Sequence, residues 1–255
     1  MIDDRVTIAH TLPGNVARIY AIGDAHIGSQ NCDIKAVKAK IDLVRDDPEG
    51  YLVIAGDMCD MGLKNSKTNI YEEVLQPKEQ LSLLQKLLEP VTGKILAAVD
   101  GNHEYRVARE VGISPTYDVF ARLGIPEVFR QNMAGVNIKI GRNVHLRRPH
   151  SYRFVVMHGS SAAKMGKLGL ALEGVDVLIS GHTHQPSYAP KSRLRFDATN
   201  NRLVDLPFMQ IVVGSAQGWG GYAIRGAYLP TPSNTIDVVE ISGKKKKAEY
   251  ACKIV

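Results

Sequence analysis

The chain is short of cysteine, tryptophan and long apolar runs, and each shortage excludes a class of protein. Its three cysteines, Cys32, Cys59 and Cys252, stand at unrelated spacings. That fits neither a disulfide framework nor a zinc ribbon, and it suits a reducing cytoplasm. No apolar run reaches the roughly 20 residues that a spanning helix needs, and the opening Met1-Ile2-Asp3-Asp4-Arg5 lacks the basic and apolar regions of a secretory signal. The expectation is therefore a soluble cytoplasmic protein with no membrane partner. Neither an internal repeat nor a separating linker is found, so 255 residues with 44% hydrophobic content are expected to form one domain, residues 1–255. The one low-complexity run, Lys244-Lys245-Lys246-Lys247, reads as a solvated hairpin turn, with a phosphate-backbone contact as the alternative. A net charge of +6 favours anionic partners such as phosphoesters or nucleic acid.

What the chain does have is a series of short apolar runs, each followed by polar residues of a particular kind. Residues 17–22, 51–55, 95–99, 153–157 and 175–179 are rich in Ile, Val, Leu and Ala, as buried strands are. Between the first two, Ile34, Val37, Ile41 and Val44 recur at helical spacing; Leu81, Leu84, Leu87 and Leu88 do the same after Pro77. Ser114-Pro115 opens a further helix that Gly124 closes, and residues 164–172 form a shorter candidate. Strands alternating with helices imply a largely parallel sheet with function at the strands' carboxyl ends. After Gly181 prolines accumulate, and residues 210–213, 235–241 and 250–255 read as antiparallel strands.

The residues behind the strands are Asp24-Ala25-His26, Gly56-Asp57-Met58-Cys59-Asp60, Gly101-Asn102-His103-Glu104, His158-Gly159 and Gly181-His182-Thr183-His184. Carboxylate oxygens and imidazole nitrogens together suit Mn, Fe, Zn, Co or Ni. Two ions about 3.5–4 Å apart need a shared ligand, and a carboxylate at a central strand end is suited to that, which selects Asp57. Asp24 and His26, two apart, point the same way if the segment is extended, and His182 and His184 repeat the spacing. Gly23, Gly56, Gly101 and Gly181 allow sharp turns before the ligands. Taken singly, each motif is equally a turn, a helix cap or a core histidine; the ordered set is not.

That ordered set, from Ala17 to Gln185, resembles the calcineurin-like metallophosphoesterase superfamily. The resemblance implies a four-layer α/β-β/α sandwich of two mixed sheets flanked by helices. It also implies two divalent metal ions, manganese first, with Fe, Zn, Ni or Co as alternatives. Asp24, His26, Asp57 and His184 would hold one ion, and Asp57, Asn102, His158 and His182 the other. His103 would stand beside the ions as general acid, oriented by Asp60, with Glu104 as a support. Bridging two cations acidifies water enough to supply hydroxide near neutral pH, and the cations neutralise charge on the phosphoryl oxygens.

Departures from the family pattern narrow the substrate. Met61 stands where protein Ser/Thr phosphatases carry Arg, which disfavours phosphoprotein substrates. The stretch from Lys64-Asn65-Ser66 to Gln80-Leu81, with Gly101 to Arg106, is similar to phage and prophage phosphoesterases described as exonuclease-like. The expected function is thus a two-metal phosphodiesterase acting on DNA, RNA or nucleotides. A broad phosphomonoesterase, a non-catalytic scaffold and a nucleic-acid-binding module with incidental metal are the alternatives. Arg106 and Asn102 are expected to bind substrate, since guanidinium forks match phosphate oxygens; Arg109, Lys164 and Lys167 are further candidates with a solvated face as the rival reading. Trp219, in the glycine-rich residues 214–222, either stacks a base or plugs the core. His10, His145, His150 and the Arg147-Arg148 pair lie outside any ligand pattern.

Overall fold

The computed structural model describes residues 3–64, 71, 73–143, 148–159, 161–220, 224 and 229–255. His145, Arg147, Asn65, Ser66 and Tyr222 fall outside the described residues. The elements begin with β1 (Ile8–Leu12), β2 (Val16–Ile22), α1 (Ile34–Asp46), β3 (Gly50–Ile54), α2 (Pro77–Leu88), β4 (Ile95–Val99), α3 (Asn102–Val111) and α4 (Pro115–Arg122). They continue with β5 (Phe129–Arg130), β6 (Met133–Asn143), β7 (Arg148–Met157), α5 (Ala162–Ala171), β8 (Val177–Ser180), β9 (Ser187–Asp197), β10 (Arg202–Val212), β11 (Thr235–Ser242) and β12 (Ala248–Ile254).

Residues alternate across β2: Ile19 and Ala21 face one core, Tyr20 and Ile22 another. A strand buried on both faces has to be apolar throughout, which is why 17–22 reads as an unbroken run. The inner core lies between two six-stranded sheets, ordered β1-β6-β7-β8-β10-β9 and β12-β11-β2-β3-β4-β5. Ile19, Val53, Ala97 and Val99 of one sheet meet Val136, Phe154, Val156 and Ile179 of the other. On the outer face of the second sheet, Tyr20, Leu52 and Ile54 pack on Val37 and Ile41 of α1, Leu84 and Leu88 of α2, and Phe120 of α4. On the outer face of the first, Val155 and Leu178 pack on Leu168 of α5. Four layers result, helices outside and two sheets within.

Both sheets are mixed. β2, β3, β4 and β5 pair in parallel, and so do β7, β8 and β10, whereas β11–β12, β11–β2, β6–β7 and β9–β10 are antiparallel. The single, largely parallel sheet suggested by strand and helix alternation is therefore corrected: the parallel strands are divided between two sheets that bury each other. The lysine run forms the turn between β11 and β12. The Tyr152 hydroxyl donates toward the Ser242 carbonyl at 2.7 Å and accepts from the Lys247 amide at 2.8 Å, and Lys246 pairs with Asp176 at 2.8 Å. Among the described residues no helix is long and apolar enough to cross a membrane.

Candidate metal centre

The carboxyl ends of β2, β3, β4, β7 and β8 meet at one end of the seam between the sheets. Asp24 and His26 leave β2, Asp57 and Asp60 leave β3, and Asn102 and His103 open α3 after β4. His158 follows β7, and His182 and His184 follow β8. The exits are laced together by backbone hydrogen bonds: Asp24 N–H to the Gly56 carbonyl at 2.9 Å, His26 N–H to Asp57 at 3.0 Å, and Gly181 N–H to His158 at 3.1 Å.

Asp24, His26, Asp57, His182 and His184 all have positive φ, between +47° and +75°. Left-handed backbone costs a non-glycine residue roughly 1 kcal/mol or more, and it persists where surrounding structure imposes it. This corrects the extended geometry expected for Asp24–His26 and His182–His184. Successive left-handed turns, not strand alternation, aim these side chains, and the two histidines of the second pair diverge. His184 joins Asp24 and His26, whereas His182 joins Asp57 and His158.

Glycine is required at two of the turns. At Gly56, with φ +85°, a Cβ would lie 2.5 Å from the Gly101 nitrogen, and at Gly101 a Cβ would collide with the Asp57 carboxylate. Both glycines let the β3 and β4 exits cross in contact. Glu104, 1% exposed, fastens the crossing by accepting the N–H groups of Asp57 at 3.0 Å, Cys59 at 2.9 Å and Gly101 at 2.9 Å. It is an anchor for the ligand-bearing loops, with both oxygens turned to backbone.

Donor atoms converge around two points. At the first, His26 Nε2 and His184 Nε2 are 3.1 Å apart, with Asp24 Oδ1 3.4 Å from His184 Nε2. At the second, His158 Nε2 is 3.0 Å from both Asp57 Oδ2 and Asn102 Oδ1, and His182 Nδ1 is 2.7 Å from Asn102 Oδ1. Asp57 Oδ2 is also 4.0 Å from His26 Nε2, placing that carboxylate between the two groups. Asp24, His26, Asp57 and His158 are each at most 5% exposed. Burying two carboxylates amid imidazole lone pairs is expensive unless positive charge is shared among them. Burial opposes ionisation of Asp57, but the neighbouring His158, His103 and His26 overcome it and hold the carboxyl well below its ordinary value.

The tautomers suit the same demand. Nδ1 of His158 donates to the Ala55 carbonyl at 2.8 Å, which leaves Nε2 facing the cluster. Burial opposes charging the ring, but Asp57 and Asp24 push it up to about 10, so a cation at this point would take the place of the Nε2 proton. In His26, Nδ1 lies 3.0 Å from Asp60 Oδ1, again leaving Nε2 for the cluster. A set of hard oxygens and borderline nitrogens turned toward one place fits divalent first-row ions, whose binding releases protons from such rings.

His103 adjoins the converging donors and forms, with His26 and Asp60, a third group of possible ligands. Its Nδ1 is 2.7 Å from the Asp60 carbonyl and 3.1 Å from Asp60 Oδ1, and its Nε2 is 3.9 Å from Asp57 Oδ2. Its backbone N–H donates to Asp57 Oδ1 at 2.8 Å. Burial lowers the proton affinity of the ring, yet Asp60 and Asp57 outweigh it, so His103 is raised above the ordinary histidine value. Arg106, one turn along α3, is half-buried; burial lowers its guanidinium while Asp60, Asp57, Glu104 and Glu73 pull the other way. Arg109, by contrast, has a side chain 71% exposed and pairs with Glu110 at 3.7 Å, so it belongs to a solvated face.

Trp219 is 53% exposed and does not plug the core. Its loop is seated on the site: Ser215 Oγ donates to the Asp24 carbonyl at 2.7 Å, and Ala216 N–H does so at 3.1 Å. Sequence reasoning did not find this support, nor the cavity of about 460 Å³ that Asn102 and His158 share with Tyr105 and Gln131. Serines and glutamines in loops carry no periodic signal; only their position next to motifs hints at them. His10 Nε2 lies 2.8 Å from the Leu96 carbonyl and His150 is buried on β7, both away from the converging donors.

The family model described as calcineurin-like phosphoesterase matches residues 17–186. The chain is similar in structure to the calcineurin-like phosphoesterase YfkN from Bacillus subtilis, with 11% identity, a TM-score of 0.49, and coverage of 94% of this chain and 91% of that one. It is also similar to a single mutant of Vps29 from Entamoeba histolytica, with 14% identity, a TM-score of 0.41, and coverage of 93% and 99%. No curated protein sequence matches.

Proposed function

Since the chain belongs to the calcineurin-like phosphoesterase family, whose members are metal-dependent phosphoester hydrolases, we propose that it is a two-metal phosphodiesterase acting on nucleic acid or nucleotides. The observation that carries this reading is the convergence of Asp24, His26, Asp57, Asn102, His158, His182 and His184 at the seam. Asp24, His26, Asp57 and His184 would hold one ion and Asp57, Asn102, His158 and His182 the other, manganese being our first choice. When bound, the ions supply Lewis acidity toward the phosphoryl oxygens and bring the pKa of water near neutrality.

The chain's own groups do the remainder. His103 presents Nε2 to the site and would give its proton to the departing ester oxygen, while Asp60 holds the ring by Nδ1. Arg106 would meet non-bridging oxygens with its guanidinium, and Asn102 would orient the phosphoryl group through its amide. A diester retains one substituent on phosphorus, and the cavity beside Asn102 gives such a substituent a place, which a bare monoester would leave unused. The charge of +6 suits a polyanionic substrate, and three free cysteines suit the cytoplasmic location that is part of the same proposal.

The test compares bis(4-nitrophenyl) phosphate with 4-nitrophenyl phosphate on Mn²⁺-loaded protein, followed by single- and double-stranded DNA, RNA and cyclic nucleotides. The diester should be favoured at least about tenfold in kcat/KM. Preference for the monoester would replace this reading with a broad phosphomonoesterase.

A further inference from the structure

The cavity beside Asn102 and His158 is larger and more varied in its lining than a phosphoryl group needs. Its volume of about 460 Å³ is in the size range of small-ligand sites, and it is an open cleft that would leave part of a ligand in solvent. Tyr105 supplies an aromatic face, 46% exposed, and Met157 and Leu168 supply apolar surface. Gln131 brings an amide edge and Lys164 a cation, while the Asn132 amide already donates to Asp4 at 2.6 Å. The Gln131 backbone is fixed, its carbonyl accepting from Asp100 N–H at 3.2 Å and its N–H donating to Asp4 at 3.1 Å. Its side-chain amide makes no hydrogen bond among the described residues, so a donor and an acceptor on a fixed stem face a cavity.

A ring to stack on, an apolar bed and an unused amide are the complement of an unpaired heterocyclic base. A fatty chain would leave the Gln131 amide unmatched, and a paired duplex presents no free base to a concave site. The cavity's place relative to His103 adds a direction. His103 is not in the lining; its ring stands edge-on to His26 with centroids 4.4 Å apart, on the Asp60 side of the site. In an in-line displacement the departing oxygen sits by the acid, so a group in the cavity is on the side that stays.

We infer that the cavity between Tyr105, Gln131 and Met157 seats the unpaired nucleoside that keeps the phosphate after cleavage. This rests on the phosphodiesterase reading above. The P–O bond to the departing alcohol breaks as a P–O bond to water's oxygen forms. Water thus delivers OH to phosphorus and, through His103, one proton to the alcohol, leaving a nucleoside monophosphate in the cavity.

The experiment uses 4-nitrophenyl esters of thymidine 5′-phosphate and 3′-phosphate, with bis(4-nitrophenyl) phosphate as the reference, on Mn²⁺-loaded wild type, Gln131→Ala and Tyr105→Ala. In the wild type one nucleoside ester should exceed the reference at least about tenfold in kcat/KM, mainly through KM, and either substitution should cut that ratio by about tenfold. Equal kcat/KM for all three esters, or a ratio untouched by both substitutions, would overturn the inference while leaving the phosphodiesterase reading intact. Failure to cleave any diester would sink that reading instead. Calorimetric binding of thymidine monophosphate then decides the cavity separately: binding weakened about tenfold in the variants supports it, and no binding to wild type overturns it.

Discussion

Asp60 ties together two histidines to which different tasks are proposed. One oxygen lies 3.0 Å from Nδ1 of His26 and 3.1 Å from Nδ1 of His103, so a single carboxylate sets a cluster-facing ring and an acid-facing ring at once. His103→Ala should keep its ions by elemental analysis, yet lose about 10²-fold or more in turnover of an alkyl diester. The loss should be far smaller for a nitrophenyl ester, whose leaving group needs no proton. Equal losses on both would remove His103 from the acid role. A second aspartate, Asp47, serves stability away from the site. It takes two hydrogen bonds of 2.6 Å from Arg18 and one of 2.8 Å from the Tyr20 hydroxyl. Arg18 foremost holds its pKa well below 3.8 despite burial. A depressed carboxylate contributes stability that is complete above its unfolded value, about 3.9, and lost as pH falls toward the folded one. Asp47→Asn should therefore cost about 3 kcal/mol at pH 7 in urea unfolding, and the gap from wild type should close below pH 4.

At the scale of elements, the site is an arrangement of strand exits, and its fragile points are the turns. Gly56→Ala puts a methyl group against the Gly101 nitrogen at a positive φ; a loss of at least about 2 kcal/mol in urea and weakened metal retention are expected. Sequence made the ligands readable because each follows a strand whose burial on both faces demands an apolar run, as in 17–22 and 95–99. It could not show the left-handed backbone at Asp24, His26 and Asp57, since the mild preference of Asp and His for that region does not single out these positions among the others. It also missed β9, where the alternation is inverted: Ala189, Lys191 and Arg193 are partly buried while Leu194 and Phe196 are exposed. In α3 only Glu104 and Ala108 are buried, so that helix is held by its first turn and carries no apolar stripe. Strand β6 did alternate, with Ala134, Val136, Ile138 and Ile140 buried, and was legible but overlooked beside the motif-bearing strands.

At the scale of the whole molecule, two sheets share one inner core, and the proposed ligands come from both: Asp24, His26, Asp57 and Asn102 from one, His158, His182 and His184 from the other. The proposed site thus needs the sheets to stay packed, in keeping with the single domain over residues 1–255 that we propose. Such a domain should unfold in urea in one transition, with circular dichroism and fluorescence coincident. Division of the parallel strands between sheets was not legible from helix and strand alternation, because either arrangement buries the same apolar faces. The central claim is that Asp57 joins two groups of donors into one dinuclear centre. The measurement that tests it is elemental analysis of desalted, Mn²⁺-loaded protein, wild type beside Asp57→Asn, with circular dichroism as the check on folding. Two ions per wild-type chain and none firmly held by the folded variant are predicted; two ions retained by Asp57→Asn, or none on folded wild type, would contradict the account.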